Sequence, residues 1–217
     1  MVITKPTLFL LYGYPGSGKT YVARQLGEEL GAAHVQADRI RYELFEEPRY
    51  DTQENQLVTQ LMNYMTEEFL KVGTSVIYDT NALRQGQRKA LRDLAHKSRA
   101  NVVLIWIQVD IESAYIRAVK RDHRKIDDKY AAEMDRATYQ RILGSMQNPM
   151  HGEEYVVISG KHTFQTQRGA IIKKLFDIGL LSADQMSASV VKPGLVNLVP
   201  NPLSGRVDET RRNISIR

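Results

Sequence analysis

The sequence predicts an α/β protein in which helices cover both faces of a mostly parallel sheet. Nearly continuous apolar runs, such as residues 102–107, are typical of strands that are buried on both faces. These runs alternate along the chain with segments of helical periodicity, an order that is typical of a parallel sheet between two helical layers. The 217 residues can bury one core of good size, so we expect one domain with appendages.

The first strand is predicted at residues 7–12 and the first helix at residues 19–30, where Val22, Leu26 and Leu30 share a face. A second strand follows at residues 32–36, and the next helix is expected to begin near Asp38.

The helix before the third strand has a marked N-terminus, because Asp51 and Glu54 have the spacing of a capping box. Its apolar stripe is predicted to face the core and consists of Leu57, Leu61, Met65 and Phe69. The third strand is predicted at residues 74–78, and a helix follows at residues 84–98.

The fourth strand is predicted at residues 101–109 with a helix at 111–121, and a short fifth strand at 155–158 leads into a helix at 163–180. The domain is therefore expected to span residues 1–181. Prolines and glycines interrupt every periodic pattern in residues 182–217, which indicates an extended or disordered C-terminal tail.

Composition excludes several classes of site. The chain has no cysteine, which excludes disulfides, thiolate metal sites and a cysteine nucleophile. Its five histidines lack metal-ligand spacing, and its formal charge of +5 suits any phosphate-rich ligand while only weakly favouring nucleic acid. No apolar run has the length of a membrane span, and the apolar start leads into glycines instead of a cleavage site, so we expect a soluble cytoplasmic protein.

A phosphate-binding motif follows the first strand and opens the first helix. The segment fits G-x-x-x-x-G-K-[ST] and consists of Gly13, Tyr14, Pro15, Gly16, Ser17, Gly18, Lys19 and Thr20. Its backbone N–H groups can surround the phosphates of ATP, Lys19 can reach the β- and γ-phosphates, and Thr20 can bind Mg²⁺. The motif predicts a P-loop NTPase three-layer sandwich, but it does not by itself separate kinases from GTPases, motors or transporters.

Asp38 and Arg41 follow the second strand, at the edge of the sheet where the P-loop lies. The Asp38 carboxylate can accept the proton of an attacking hydroxyl, and Arg41, one helical turn later, can bind acceptor or phosphoryl oxygens. The alternative for Asp38 is a simple helix N-cap.

Asp79 and Asn81 follow the third strand at the same edge, and both are predicted to contact the substrate. Asp79 can also hold Arg41 or a water bound to Mg²⁺; the alternative is an aspartate that starts a turn. Arg88 is the best candidate for an acceptor contact in the row Arg84, Arg88 and Arg92, whose other members are expected to be solvated.

A cluster of cations at residues 117–129, which includes Arg121 and Arg124, is predicted to form a basic helical lid over ATP. The two arginines would neutralise negative charge that develops in the transition state. The alternative is an exposed, charged helix end.

Taken together, these motifs resemble the P-loop kinases related to polynucleotide 5′-hydroxyl kinase, a group that includes zeta-toxin-like kinases and proteins described as AAA-like ATPases. The resemblance runs over residues 7–143, with weaker support to residue 180. It implies that Asp38 is the general base, that Arg41 binds the acceptor side and that arginines of the lid contact ATP phosphates. The chain has no DxDxT-type phosphatase segment, so a DNA or RNA substrate is not implied.

We therefore expect an ATP- and Mg²⁺-dependent kinase whose acceptor is an alcohol, with Asp38, Arg41, Lys19, Arg121 and Arg124 as catalytic residues. A polynucleotide 5′-hydroxyl competes as acceptor with nucleosides, sugars, antibiotics and nucleotide-sugars. The alternative functions are a P-loop ATPase that switches a partner and a nucleotide-binding module without a phosphoryl acceptor. The sequence leaves the acceptor and the oligomeric state open.

Overall fold

The computed structural model describes residues 3–80, 84–150 and 152–182. Its sheet has five strands, all paired in parallel, in the order β2-β3-β1-β4-β5. The strands are β1 (Thr7–Tyr12), β2 (Ala33–Gln36), β3 (Val76–Asp79), β4 (Asn101–Gln108) and β5 (Tyr155–Ser159). The predicted α/β class with a parallel sheet is confirmed.

Seven helices lie in the described ranges: α1 (Lys19–Leu30), α2 (Ala37–Leu44), α3 (Thr52–Lys71), α4 (Gln85–Lys97), α5 (Ile111–Val119), α6 (Arg136–Ser145) and α7 (Phe164–Asp177). The sequence predicted α1, α4, α5 and α7 within a few residues at both ends and the starts of α2 and α3, but it did not delimit α6. No helix in these ranges is long and apolar enough to cross a membrane.

Successive residues of β1 point to two different cores, as expected for a strand that is buried on both faces. Leu8 and Leu10 belong to the core under α3 and α4, whereas Phe9 and Leu11 belong to the core under α1 and α7. The helical layers therefore lie on both faces of the sheet, and the carboxyl ends of the strands remain free to carry a site.

The buried face of α3 differs from the predicted stripe. Glu54, Val58, Met62, Thr66 and Leu70 are the buried residues of this helix. Leu57 is 48% exposed, whereas Met65 and Phe69 pack at the margin of the core. The carboxylate of Glu54 turns inward to bind Arg41, which is why a charged residue lies on the buried face. The hydrophobic pattern could not show this, because the pair depends on a residue of another helix.

The start of α3 also departs from a full capping box. Asp51 caps the helix by accepting a hydrogen bond from the backbone N–H of Glu54 at 2.9 Å, as predicted. The Glu54 carboxylate instead accepts hydrogen bonds from the backbone N–H groups of Arg49 and Tyr50.

In the predicted lid, residues 117–129, only residues 117–119 at the end of α5 are helical. Residues 120–135 form turns between α5 and α6, so the prediction of a helical lid is wrong for this stretch. Its dense charges leave no apolar stripe that a helix could bury. Arg24 of α1 holds the loop through two hydrogen bonds to the Asp127 carboxylate, of 2.8 and 3.2 Å. On the other side, the rings of Tyr42 and Tyr130 meet edge to face.

Candidate active site

The P-loop connects β1 to α1, and its glycines allow a conformation that other residues would strain. Gly16 has a φ of 81°, and a Cβ atom there would lie 2.1 Å from the carbonyl oxygen of Ala114 on α5. Gly18 precedes α1 with a left-handed φ of 97°. These glycines let the loop close against α5, and the backbone N–H of Ser17 donates to the carbonyl oxygen of Tyr14 within the loop.

Lys19 is buried inside the loop. Its Nζ donates hydrogen bonds to the carbonyl oxygens of Gly13 at 3.0 Å and Tyr14 at 2.9 Å. Burial lowers the pKa of Lys19 to about 8, although the charge of Asp79 acts in the opposite direction. The cation therefore lies where it can exchange these carbonyl oxygens for phosphate oxygens.

The cleft above the loop, which we call the P-loop cleft, is a cavity of about 300 Å³. Cations of α5 and the lid line it, namely Arg117, Lys120, Arg121 and Lys125. Asp127, Asp128, Asp79 and Thr20 lie in the same wall. The hydroxyl of Ser17, which does not line this cavity, is buried and makes no hydrogen bond within the described part of the chain. Cations, a glycine-lined loop and hydroxyl groups suit a polyphosphate, and the Thr20 hydroxyl and Asp79 carboxylate are the oxygen ligands that Mg²⁺ prefers.

Asp38 lies at the junction of the P-loop cleft and a second cavity of about 840 Å³. It is the second residue of α2, whose N-cap is Gln36, so the alternative of a simple helix cap is wrong. Among the residues that the structure describes, none donates a hydrogen bond to its carboxylate. Burial and the nearby charge of Asp79 raise the pKa of Asp38 to about 6, against the lowering effects of Arg121, Arg41 and Lys19. A base in this position is accessible from both cavities.

The second cavity lies between α2, the start of α3, the lid and α6. Asp38, Thr80 and Ala131 are common to both cavities. Its remaining walls include Arg41, Tyr42, Tyr50, His123, Glu133 and Arg141.

Arg41 lines the second cavity, but it is fixed by partners that the sequence did not predict. Its guanidinium donates to Glu54 at 3.0 Å and to Asn55 at 2.6 Å, and it lies 4.5 Å from the ring centroid of Tyr50. Of the two partners predicted for Asp79, Arg41 or a water bound to Mg²⁺, Arg41 is wrong. Asp79 instead contacts Nε2 of His34 at 3.0 Å. Gln36 is the residue of β2 that pairs with Asp79 in the sheet, and His34 lies two residues before Gln36 on the same face of β2.

Arg88 is 0% exposed and does not line either cavity, which contradicts the predicted acceptor contact. Its guanidinium forms two hydrogen bonds of 2.9 Å to Glu153 and a further one to the carbonyl oxygen of Gln147. Arg92 binds Glu153 as well, so it is not the solvated residue that was predicted. Arg88 lies on the inward face of α4, where the guanidinium is satisfied by the segment before β5. Asn81 lies outside the described residues.

The two lid arginines lie in different surroundings. Arg121 lines the P-loop cleft and affects the pKa values of both Lys19 and Asp38. Arg124 is 91% exposed and binds Asp122 instead. The position of Arg124 therefore does not support its predicted role at the phosphates.

Three residues of the site had no signal in the sequence that separated them from surface positions. Tyr50 is one of several aromatic residues in residues 42–50, and Thr80 lies between the two candidates Asp79 and Asn81. Arg141 belongs to α6, which the pattern did not delimit, so only the packing of α6 over the cavity reveals it.

Comparisons with known proteins identify the family and the fold. A family model described as an AAA domain matches residues 8–149. The cytidylate kinase of Methanopyrus kandleri is 27% identical over 144 residues, which cover 61% of this chain and 74% of the relative.

Two solved structures illustrate the similarity of fold. Kti12 of Chaetomium thermophilum, in complex with ADP-AlF3, matches with a TM-score of 0.62 and 17% identity over 81% of this chain and 100% of that chain. A chain of the Pnkp1/Rnl/Hen1 RNA repair complex matches with a TM-score of 0.55 and 22% identity, over 66% of this chain and 44% of that chain. The family match covers more than half of the sequence, and the resemblance inferred from the motifs is confirmed: the chain belongs to the AAA-domain family of P-loop proteins and has the fold of the P-loop kinases.

Proposed function

We propose that the protein is an ATP-dependent kinase that transfers the γ-phosphoryl group to a hydroxyl of its acceptor, with Asp38 as the general base. The observation that carries this proposal is the position of the Asp38 carboxylate between the cation-lined P-loop cleft and the second cavity. ATP would occupy the first space and the acceptor the second, so that the two reacting groups meet beside Asp38.

In this mechanism the acceptor oxygen attacks the γ-phosphorus, its proton passes to the Asp38 carboxylate, and the bond from phosphorus to the bridging oxygen of ADP breaks. Lys19 and Arg121 hold the phosphate oxygens and stabilise the charge that develops on them. Thr20 would hold Mg²⁺, with Asp79 acting through a bound water. When bound, Mg²⁺ would supply positive charge that neutralises the phosphates of ATP.

The surroundings of Asp38 favour a hydroxyl over a phosphate as acceptor. A hydroxyl can donate a hydrogen bond to a carboxylate that lacks a donor in the described ranges, and it must lose its proton during transfer. A phosphate acceptor is already anionic, so the carboxylates of Asp38 and Asp79 would repel it. The relative that is a cytidylate kinase shows why the acceptor class needs a direct test.

The test is a transfer screen with γ-labelled ATP. Acceptors would include nucleosides, sugars, aminoglycosides, nucleotide-sugars, oligonucleotides with a 5′-hydroxyl and nucleoside monophosphates. We expect label on a hydroxyl-bearing acceptor, loss of that label in Asp38→Asn, and retention in Asp93→Asn, which alters an exposed aspartate of α4.

Label only on monophosphates, or equal transfer by wild type and Asp38→Asn, would refute the hydroxyl-kinase proposal. Release of labelled phosphate without transfer to any acceptor would instead favour the ATPase alternative.

A further inference from the structure

The second cavity has a rigid aromatic wall formed by Tyr50. Tyr50 has a φ of 57°, in the left-handed region that non-glycine residues rarely adopt. Its N–H donates to the Glu54 carboxylate at 2.8 Å, and its carbonyl oxygen accepts from Asn55 at 3.1 Å. Such a backbone persists only where its surroundings hold it, and this arrangement is common at ligand sites. The ring is 40% exposed and lines the cavity.

One cation in the second cavity is not used by the protein itself. Arg141 of α6 is exposed, lines the cavity, and forms no hydrogen bond or ion pair with any residue that the structure describes. Arg41 differs, since the buried carboxylate of Glu54 neutralises it. The other titratable side chains of the cavity are Asp38, Tyr42, Tyr50, His123 and Glu133. Outside the cavity, the charge of Arg141 acts on Asp135, whose carboxylate is bound by Thr138. Arg141 is thus the guanidinium that remains available to bind a ligand.

The size of the cavity indicates an acceptor larger than a single sugar ring. Its volume of about 840 Å³ lies in the upper range of small-molecule sites, which span roughly 300–1,000 Å³. Apolar side chains, among them Met134 and Ile142, line the part near Arg141. An acceptor that fills this space must cover apolar and aromatic surface as well as reach the base.

We propose that the acceptor carries a flat ring, which packs against Tyr50, and an oxyanion separate from the reacting hydroxyl, which Arg141 binds. Arg141 and Tyr50 then determine specificity, and neither takes part in the transfer step. A guanidinium binds a phosphate or a carboxylate equally well as a planar pair of donors, so the shared chemistry is a ring with an oxyanion. The assignment of this cavity to the acceptor rests on the proposed function, but the binding chemistry does not.

The test measures binding without transfer, by isothermal titration calorimetry with Mg²⁺ and a non-hydrolysable ATP analogue present to fill the P-loop cleft. One pair of probes is adenosine 3′-monophosphate and adenosine, which differ by a phosphate. The other pair is phenyl β-D-glucuronide and phenyl β-D-glucoside, which differ by a carboxylate. We expect the anionic member of at least one pair to bind about tenfold more tightly than its neutral counterpart, as one charge-assisted hydrogen bond would allow.

Variants separate Arg141 from general charge effects. Arg141→Ala should remove the preference for the anionic probe and leave the neutral probe unchanged, whereas Arg141→Lys should keep part of it. Arg136→Ala is the matched control, because Arg136 is an exposed arginine of α6 that contacts Tyr115 and does not line the cavity. Tyr50→Asn should weaken both members of a pair by a similar factor, since asparagine tolerates a positive φ but lacks the ring.

Two results would overturn the proposal: no preference for the anionic member in either pair, or a preference that survives Arg141→Ala unchanged. The protein could also show a preference that depends on Arg141 but transfer no phosphate from ATP to any hydroxyl. That pair of results would refute the kinase function and leave the binding assignment standing.

Discussion

Asp38 and Asp79 show how two neighbouring carboxylates acquire different chemistry. Asp79 has a partner, His34, at 3.0 Å, whereas Asp38 relies on more distant cations while burial raises its pKa to about 6. A base works best when its pKa lies near the working pH, and this value leaves Asp38 largely ionised at neutral pH. The carboxylate without a hydrogen-bond donor in the described ranges is therefore the better proton acceptor.

We predict that Asp38→Asn slows the chemical step by about 10²–10⁴-fold, the usual contribution of a general base. Affinity for ATP should stay similar, because Lys19 and the P-loop are unchanged. Single-turnover kinetics and equilibrium titration with ATP separate the two effects. In the wild type, kcat/KM should fall below about pH 6, where Asp38 of the free enzyme becomes protonated, and the variant should lack this acidic limb. Transfer at the wild-type rate by a folded variant would mean that the base lies elsewhere.

The same substitution should stabilise the fold at neutral pH. The pKa of Asp38 is raised from 3.8 to about 6. Between these two pH values the folded state therefore holds a proton that the unfolded chain has lost. Stability should therefore decrease as pH rises from about 3.8 to 6, and Asp38→Asn should remove this loss. We expect a gain on the order of 1–2 kcal/mol in the free energy of unfolding at pH 7, which disappears near pH 4. Urea denaturation at both pH values measures it, and destabilisation at pH 7 would contradict the prediction.

The two lid arginines provide a matched comparison. Arg121 lines the P-loop cleft, whereas Arg124 is exposed and paired with Asp122. Arg121→Ala should lower kcat by at least about 10-fold because it removes charge from the transition state. Arg124→Ala should change kcat less than twofold. Steady-state kinetics at saturating ATP tests this, and equal effects of the two variants would show that the lid rearranges around both.

At the scale of elements, Glu153 joins α4 to the segment before β5. It is the shared acceptor of Arg88 and Arg92, and it also accepts from the backbone N–H of Met150 at 3.1 Å. Burial alone would raise the pKa of Glu153, but the hydrogen bonds from these partners lower it to about 2. A buried charge with several donors is costly to leave with a missing partner.

We predict that Arg88→Ala lowers the free energy of unfolding by about 3–5 kcal/mol, since it leaves the Glu153 carboxylate buried beside a cavity. Lys89→Ala is the control, because Lys89 is an exposed residue of the same helix, and it should change the free energy of unfolding by less than about 0.5 kcal/mol.

Since the pKa of Glu153 is lowered by its partners, the stabilisation is present above its ordinary pKa of 4.5 and is lost as pH falls toward 2. The difference between wild type and Glu153→Gln should therefore shrink over this interval in denaturation curves. A difference that stays constant from pH 7 to pH 2 would show that the charge of Glu153 does not contribute.

At the scale of the whole molecule, the order β2-β3-β1-β4-β5 brings the P-loop, Asp38 and Asp79 to one edge of the sheet. The P-loop follows β1, Asp38 follows β2, and Asp79 is the last residue of β3. These three strands are adjacent and parallel, so their carboxyl ends meet. The chain beyond α7 contributes none of these groups.

We predict that a chain ending at Ser182 folds cooperatively and transfers phosphate like the full chain, because both cores and the described site lie before that residue. Calorimetry and the transfer assay measure the two properties. Loss of a cooperative transition on truncation would show that residues 183–217 belong to the fold.

The sequence by itself determined the class of fold, the P-loop and the placement of Asp38, because these depend on local patterns. Apolar runs specify buried strands, glycines with lysine and threonine specify a phosphate-binding loop, and residues that directly follow parallel strands reach a common edge.

Only the tertiary structure decided the partners of the charged residues. From the sequence we predicted that Asp79 holds Arg41 or a water bound to Mg²⁺ and that Arg88 contacts the acceptor, whereas packing joins Arg41 to Glu54 and Arg88 to Glu153. The tertiary structure also places Arg121 in the P-loop cleft, leaves Arg124 exposed, and brings Arg141 to the second cavity. Long cationic side chains reach several carboxylates, and which one they bind depends on the faces that helices turn toward each other in the folded chain.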